Sequence, residues 1–185
     1  MGEDLIEKSK ETGELQLDFR DKLTHFSIVI FSFAFAVFVP LMVLFYQLID
    51  PVGIKNYGVL WFSPIFAAVG IIFYYIQKKR LKLTSIKTNI SKGDFDKLIE
   101  KISDKYRWQI LTNTSKVIIA KTPFSGSSWG EQITIIFGGD SLLVNSICDP
   151  DKRTSVVSYG RNAQNVRLII KRINRFSKTT SFNET

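Results

Sequence analysis

Two long apolar stretches constrain this chain more than any other feature of its sequence. Residues 26–48 and residues 59–76 contain no Asp, Glu, Lys, Arg or His. As α-helices they would be roughly 34 and 27 Å long, and the hydrocarbon core of a bilayer is about 30 Å thick. We therefore predict a transmembrane hairpin of two helices over residues 24–77, with a short external loop at residues 49–58.

A cleaved signal peptide is the alternative for the first stretch, and the residues in front of it argue against that. Residues 1–23 hold seven acidic and four basic side chains, whereas a signal peptide begins with positive charge and has a shorter apolar run. We expect residues 1–23 to form a cytoplasmic segment. Within it Leu15, Leu17 and Phe19 alternate as in a strand that could join a sheet edge, and the start of an interfacial helix is the other interpretation.

The flanking charges predict the orientation of the hairpin. Arg20 and Lys22 precede the first stretch, a cluster of basic residues follows the second, and Lys55 is the one basic residue of the loop between them. Because Lys and Arg concentrate in cytoplasmic loops, both termini are predicted to be cytoplasmic. The abundance of Lys, Ile, Asn, Ser and Phe is typical of AT-rich bacterial genomes, so the expected location is a bacterial inner membrane.

The basic cluster after the second stretch is predicted to be a juxtamembrane linker over residues 78–92. It holds six Lys or Arg and no acid. These charges either fix the topology alone or also attract anionic lipid, at about 1 kcal/mol for each basic residue near the surface. The candidate lipid contacts are Lys78, Lys79, Arg80, Lys82 and Lys87.

The pattern of residues 93–176 predicts a small cytoplasmic α+β domain, in which a helix is followed by an antiparallel sheet of four to five strands and then by a second helix. The first helix covers residues 94–106 with Asp94 as its N-cap, and the last covers residues 162–176. Four strands are expected at residues 107–112, 116–122, 132–137 and 141–148, and a short fifth strand at residues 154–160. Residues 177–185 are expected to form a disordered tail.

The predicted strands are apolar on both faces. Ile133 and Ile135 share one face with Phe137, yet Ile136 falls on the other. A sheet covered by helices on one face would instead alternate between apolar and polar residues. We therefore expect a loop, the N-terminal segment, a second copy or a partner to cover the second face.

The stretch GSSWG, residues 126–130, has the G-x-S-x-G pattern of serine hydrolases with Ser128 at its centre. That pattern needs a strand before it, a helix after it and a later histidine, but a strand-like segment follows and the single histidine is His25. We predict a glycine-containing loop, with Phe124 and Trp129 as candidate partner contacts. Both aromatic side chains are expected to be buried, either in the domain or against a partner.

Other chemistry is poorly represented in the sequence. Cys148 is the only cysteine, so neither a CxxC pair nor a zinc cluster is predicted, and no cofactor or metal is expected. Asp149 and Asp151 form an acidic turn that could hold a cation or be solvated. From residue 77 onward there are 20 basic and nine acidic residues, but a nucleic-acid-binding motif is lacking, so nucleic acid is not an expected partner.

The sequence therefore favours a non-enzymatic membrane protein that presents a small cytoplasmic binding or scaffold domain, such as an accessory subunit of a membrane complex. Its expected partners are the lipid bilayer and either another membrane protein or a second copy of the chain. The alternatives are a surface sensor of anionic lipid and, less favoured, a membrane-bound serine hydrolase using Ser128. In outline, the order of elements resembles that of bacterial membrane-anchored PH-like proteins, and no family is assigned from it.

Overall fold

The protein is described by a computed structural model that covers residues 1–50, 57–125, 128–152 and 160–182, without the side chains of residues 57 and 177–182. The chain forms two compact units, Met1–Thr24 with Arg80–Thr185, and His25–Lys79. The helices are α1 (Glu3–Thr12), α2 (Phe19–His25), α3 (Ser27–Ile49), α4 (Phe62–Arg80), α5 (Lys92–Tyr106) and α6 (Arg161–Phe182), and a short 3-10 helix, Tyr57–Trp61, precedes α4. The strands are β1 (Thr84–Lys87), β2 (Gln109–Asn113), β3 (Val117–Lys121), β4 (Glu131–Phe137) and β5 (Ser141–Cys148).

Helices α3 and α4 correspond to the two apolar stretches. Ser27–Ile49 and Gly58–Arg80 each provide 23 helical residues, long and apolar enough to cross a membrane. Only 17% and 6% of their apolar stretches are buried, so neither helix resembles the core helix of a soluble domain. Large side chains such as Phe31, Phe38 and Phe45 lie on the surface, as lipid-facing side chains do. Of the predicted external loop, residues 51–56 lie outside the described part.

Small side chains bring α3 and α4 together. Ser32 and Ala36 are buried on α3, and the hydroxyl of Ser63 donates a hydrogen bond to the carbonyl oxygen of Ala36. At Gly70 an added Cβ would lie 3.2 Å from the ring of Phe33, so glycine permits this close approach. Contacts through small residues are typical of helix pairs in membranes, where lipid leaves little hydrophobic drive for association.

His25 and Gln77 form a buried polar pair within the same unit. The Nε2 atom of His25 lies 3.1 Å from the carbonyl oxygen of Gln77, and Nε2 of Gln77 donates to the carbonyl oxygen of His25 at 2.8 Å. The pair satisfies main-chain groups that would otherwise be buried without a partner. The single histidine of the chain therefore joins the start of the first apolar helix to the end of the second.

The other unit contains one antiparallel sheet in the order β1-β5-β4-β3-β2. The predicted layout of helix, antiparallel sheet and helix is confirmed in this outline, with five strands. The predicted strand at residues 154–160 lies almost wholly outside the described residues. The fifth strand is instead β1, which pairs Ser85 with Leu143 and lies within the segment predicted to be a linker.

The prediction of a linker over residues 78–92 is therefore wrong for most of that segment. Leu81, Leu83 and Ile86 are buried. The side-chain amide of Asn145 donates hydrogen bonds to the carbonyl oxygens of Arg80 and Lys82 at 2.8 and 2.9 Å. These contacts make the residues after α4 an integral part of the sheet domain.

One face of the sheet packs on α5 and α6. The buried positions of these helices recur at helical spacing, as the sequence predicts, with Phe95, Ile99 and Ile102 on α5 and Ile169 and Ile173 on α6. They meet isoleucines of β3 and β4 that are fully buried. Each such side chain contributes about 1.5–3 kcal/mol by leaving water, so this face is the main core of the domain.

Helix α1 covers the second face of the sheet. Its Ile6 is buried against Val117 and Ile136. The helix ends at Gly13, whose φ of 67° suits glycine and whose N–H donates to the carbonyl oxygen of Ser9. Among the predicted occupants of this face, the N-terminal segment is the one found. Residues 1–24 therefore belong to the domain and do not form a separate segment.

The chain after α1 pairs with the residues that lead into β1. The amide of Leu15 donates to the carbonyl oxygen of Leu81 at 2.7 Å, and the amide of Leu83 donates to that of Gly13 at 2.9 Å. The strand-like pairing predicted here is limited to an isolated bridge at Glu14. Phe19 then begins a helix, α2. The segment from Glu14 to Arg20 thus contains part of each predicted alternative, a strand-like pairing at its start and a helix at its end.

Two helix ends differ from their predicted positions. The N-cap of α5 is Ser91, whose hydroxyl accepts a hydrogen bond from the amide of Asp94 at 3.1 Å, so the prediction of Asp94 as the cap is wrong. Helix α6 continues to Phe182, through residues predicted to lie in a disordered tail. Residues 183–185 of that tail lie outside the described part of the chain.

Candidate docking surface

The loop between β3 and β4 contains a short hairpin closed by Ser125 and Ser128. The amide of Ser125 donates to the carbonyl oxygen of Ser128 at 2.9 Å, and the amide of Ser128 donates back at 3.0 Å. Phe124 and Trp129 flank this pair of residues. We call Phe124, Ser125, Ser128 and Trp129 the aromatic hairpin; Gly126 and Ser127 lie outside the described residues.

A buried carboxylate, that of Glu131, supports the aromatic hairpin. The hydroxyls of Ser128 and Thr122 donate hydrogen bonds to its two oxygens. Each hydroxyl also accepts from the main chain: the amide of Gly130 lies 3.2 Å from Ser128 Oγ, and the amide of Glu131 lies 2.8 Å from Thr122 Oγ1. The base of the hairpin is thus a hydrogen-bond network that holds Thr122, Ser128 and Glu131 together.

Gly130 is required by the geometry of this base. Its φ is +113°, and an added Cβ would lie 2.8 Å from the carbonyl oxygen of Thr122. A side chain at this position would strain the backbone and clash with the neighbouring strand end. The carbonyl oxygen of Gly130 also accepts from the amide of Asp149 at 3.0 Å, which joins the loop to the end of β5.

The two predicted contact residues are brought together and lie on the surface. The ring centroids of Phe124 and Trp129 are 5.3 Å apart, with the planes at 53°. Phe124 is 61% exposed and Trp129 is 46% exposed. The domain thus leaves most of Phe124 and about half of Trp129 uncovered, and contact with a partner stays a prediction.

Ser128 is placed as a structural donor. Its hydroxyl gives its only proton to Glu131, and the side chain is nearly buried. The strand β4 follows the motif where a hydrolase has a helix. The chain's single histidine, His25, is engaged with Gln77. Ser128 therefore has a carboxylate as its hydrogen-bond acceptor, whereas a hydrolase serine has an imidazole base.

A cleft of about 420 Å³ adjoins the aromatic hairpin. Three sides of the domain contribute to it: the end of α5 with Trp108, the residues after β3, and the first two turns of α6. Its lining residues are Tyr106, Trp108, Thr122, Pro123, Ser125, Glu131, Arg161, Gln164, Asn165 and Leu168. The cleft lies beside the aromatic hairpin, because Ser125 lines the cleft and belongs to the hairpin.

The acidic turn after β5 holds a lysine. Nζ of Lys121 lies 2.8 Å from Oδ1 of Asp149 and 2.5 Å from Oδ2 of Asp151. Burial lowers the pKa of Lys121, but the hydrogen bonds to these carboxylates outweigh it and raise the pKa above its usual value. The hydrogen bond from Lys121 lowers the pKa of Asp151. The cation that this acidic turn was predicted to hold is thus the ammonium group of Lys121.

The candidate lipid contacts are divided between the two units. Lys78 and Lys79 are exposed in the last turn of α4. Lys82 and Lys87 expose their side chains beside and within the edge strand β1, while Arg80 is only partly exposed. Lysines on an edge strand also discourage unwanted strand pairing, so these positions do not require a lipid ligand to explain them.

The sequence interpretation missed two residues of this region. Glu131 occupies the same face of β4 as Ile133 and Ile135. An acid at such a core-facing position could have indicated a buried polar site. Lys121 ends β3 on the opposite face, and its pairing with Asp149 depends on contacts distant in the sequence. Strand alternation could have identified the first of these residues but not the second.

Comparison with known proteins adds no family to this description. No protein-family model matches the chain, and neither a curated protein nor a solved structure shows a significant match.

Proposed function

We propose that this protein is a membrane-anchored binding protein without catalytic activity. In this proposal α3 and α4 cross a bacterial inner membrane with both termini in the cytoplasm, and the sheet domain binds another subunit of a membrane complex. The length and exposed apolar surface of the two helices support the membrane anchor. The excess of Lys and Arg outside the loop between them supports the orientation.

The aromatic hairpin is the observation that carries the binding role. Large aromatic side chains contribute most of the free energy at many protein interfaces, and Trp is enriched among such positions. Phe124 and Trp129 are exposed, yet they are mounted on a hydrogen-bonded base. Because Ser128 and Glu131 are held by this network, binding through the neighbouring aromatic side chains would lose less conformational entropy.

The experiment is purification of the tagged full-length protein from membranes in mild detergent. Trp129→Ala and the double variant Phe124→Ala/Trp129→Ala are compared with Leu111→Ala, which removes another exposed apolar side chain, on β2. We expect one partner subunit, or a second copy, to be reduced more than fivefold in the hairpin variants, since a hot-spot residue contributes more than about 1 kcal/mol.

The control decides the interpretation. Retention of the same partner by Leu111→Ala, together with unchanged thermal unfolding of the hairpin variants, would assign the loss to the aromatic hairpin. Equal recovery of every partner by all variants would contradict the proposed function, as would a protein that is a monomer without partners in each preparation.

A further inference from the structure

The cleft beside the aromatic hairpin contains a buried acid, Glu131, that forms an ion pair with none of the residues the structure describes. Glu131 is 1% exposed, as is Asp149. Asp149 is paired with Lys121, whereas the described residues offer Glu131 only the neutral hydroxyls of Ser128 and Thr122. Both of its oxygens act as acceptors, and each retains capacity for a further donor.

A buried carboxylate in this setting favours a cationic ligand. Removing a charge from water costs several kcal/mol, and an opposite charge with good hydrogen bonds is the usual compensation. Glu131 is one of the residues that line the cleft, so a cation in the cleft would lie near the buried carboxylate of Glu131. An ammonium or guanidinium group would add donors to oxygens that now accept from neutral groups alone.

The walls of the cleft fit the same chemistry. Tyr106 and Trp108 lie together at one side, with ring centroids 6.3 Å apart, and aromatic faces attract cations. The ammonium group of Lys105 already lies 5.9 Å from the centre of the Tyr106 ring, so Trp108 is the aromatic wall left to a ligand. The hydroxyl oxygen of Ser125 is buried and finds no hydrogen-bond partner within the described part of the chain. Gln164 and Asn165 supply amide oxygens from α6. These groups offer acceptors to a ligand with several N–H donors.

Arg161 is the described cation that lines the cleft, and it opposes this preference. Its side chain is partly exposed, whereas Glu131 is buried. Water and salt screen an exposed charge more than a buried one. The deeper charge therefore dominates, and Arg161 should weaken the binding of a cation without reversing it.

We infer that this cleft binds an ammonium or guanidinium group, such as the side chain of a Lys or Arg carried by the partner segment. The inference rests on the proposed function: the partner that contacts the aromatic hairpin would carry a Lys or Arg next to the residues that make this contact.

The test is a titration of the full-length protein in detergent with Nα-acetyl-lysine methylamide, whose side-chain ammonium group is free. Binding is recorded by isothermal titration calorimetry with all three tryptophans of the chain in place, so the aromatic hairpin is left unchanged. The norleucine analogue is the neutral control, and N-acetyl-glutamate methylamide is the acidic one. We expect saturable binding of the lysine compound and none of the other two.

Gln164 provides a matched pair of charge variants at an exposed helix position. Gln164→Glu should strengthen binding of the lysine compound and Gln164→Lys should weaken it, each by about threefold to fivefold in Kd, as one unit charge a few ångströms away does in a largely aqueous setting. Glu131→Gln should abolish binding, and the Gln164 pair keeps the test valid if that variant fails to fold. Equal binding of the norleucine compound, preferred binding of the glutamate compound, or the reverse order of the Gln164 variants would overturn the inference.

Two further comparisons identify the source of the cation and separate the two proposals. Tighter binding of the lysine compound than of n-butylammonium supports a protein side chain, and equal binding supports a free amine at the same cation site. If the partner still depends on the aromatic hairpin while no amine binds, only the cleft assignment fails. If the amine binds and no partner depends on the hairpin, the proposed function fails and the cation site stands.

Discussion

Replacing Ile6 with alanine tests whether α1 is held by the second face of the sheet. Ile6 is 3% exposed and packs on Val117 and Ile136. Truncating a buried Ile to Ala costs about 2–5 kcal/mol. Because Ile6 packs in the small cluster on the second face and not in the main core, the helix can detach from the sheet without opening that core. We therefore expect the lower end of this range, about 2 kcal/mol, to appear as local opening.

Hydrogen exchange of the purified full-length protein measures that opening directly. The amides of Gly13 and Leu15 donate hydrogen bonds to main-chain oxygens in the closed state. A loss of about 2 kcal/mol should accelerate their exchange by roughly 30-fold, since 1.4 kcal/mol corresponds to a factor of ten. Lys8→Ala, at an exposed position of the same helix, should change exchange by less than about threefold. Equal protection in wild type and Ile6→Ala would refute the docking of α1 on this face.

Three further outcomes follow from the structure. A fluorophosphonate probe should leave Ser128 unmodified, because its hydroxyl donates to Glu131; labelling that disappears in Ser128→Ala would contradict this. Burial and neighbouring carboxylates raise the pKa of Asp21, so its ionised form destabilises the folded state above that pKa and its protonated form does not. Asp21→Asn should therefore raise stability at pH 7, by less than about 1 kcal/mol for this partly exposed group, and not at pH 3; equal gains at both pH values would show the assignment is wrong. From outside intact cells, a thiol reagent should label a cysteine at Asn56 and not one at Thr180, and the opposite pattern would reverse the predicted topology.

The sequence was most informative where periodicity and local chemistry act together. The apolar positions of α5 and α6 recur at helical spacing, and those same positions form the core. The two-sided apolar pattern of β3 and β4 correctly indicated a second covered face. That pattern did not identify α1 as the cover, because Ile6 meets Val117 and Ile136 through contacts between distant parts of the chain.

The features that sequence analysis missed depend on pairing at long range. Strand β1 has four residues inside a basic run, and only Ile86 among them is buried, so its alternation is too short to detect. Its position depends on pairing with β5. The cap of α5 was predicted wrongly for a different reason: Ser91 and Asp94 are both good capping residues, and Asp94 was chosen. Only the observed hydrogen bond to the amide of Asp94 decides between them.

Photo-cross-linking from position 124 tests the proposed binding role most directly. Phe124→benzoylphenylalanine replaces one exposed aromatic side chain with a larger one in the full-length protein, and irradiation is carried out in intact membranes. The account predicts a discrete cross-linked band that contains a second polypeptide. That band should be lost in Trp129→Ala and absent when the same probe replaces Leu111, which is similarly exposed on β2. Cross-links from position 124 to lipid alone, or the same products from both positions, would contradict the claim that the aromatic hairpin is a protein-binding surface.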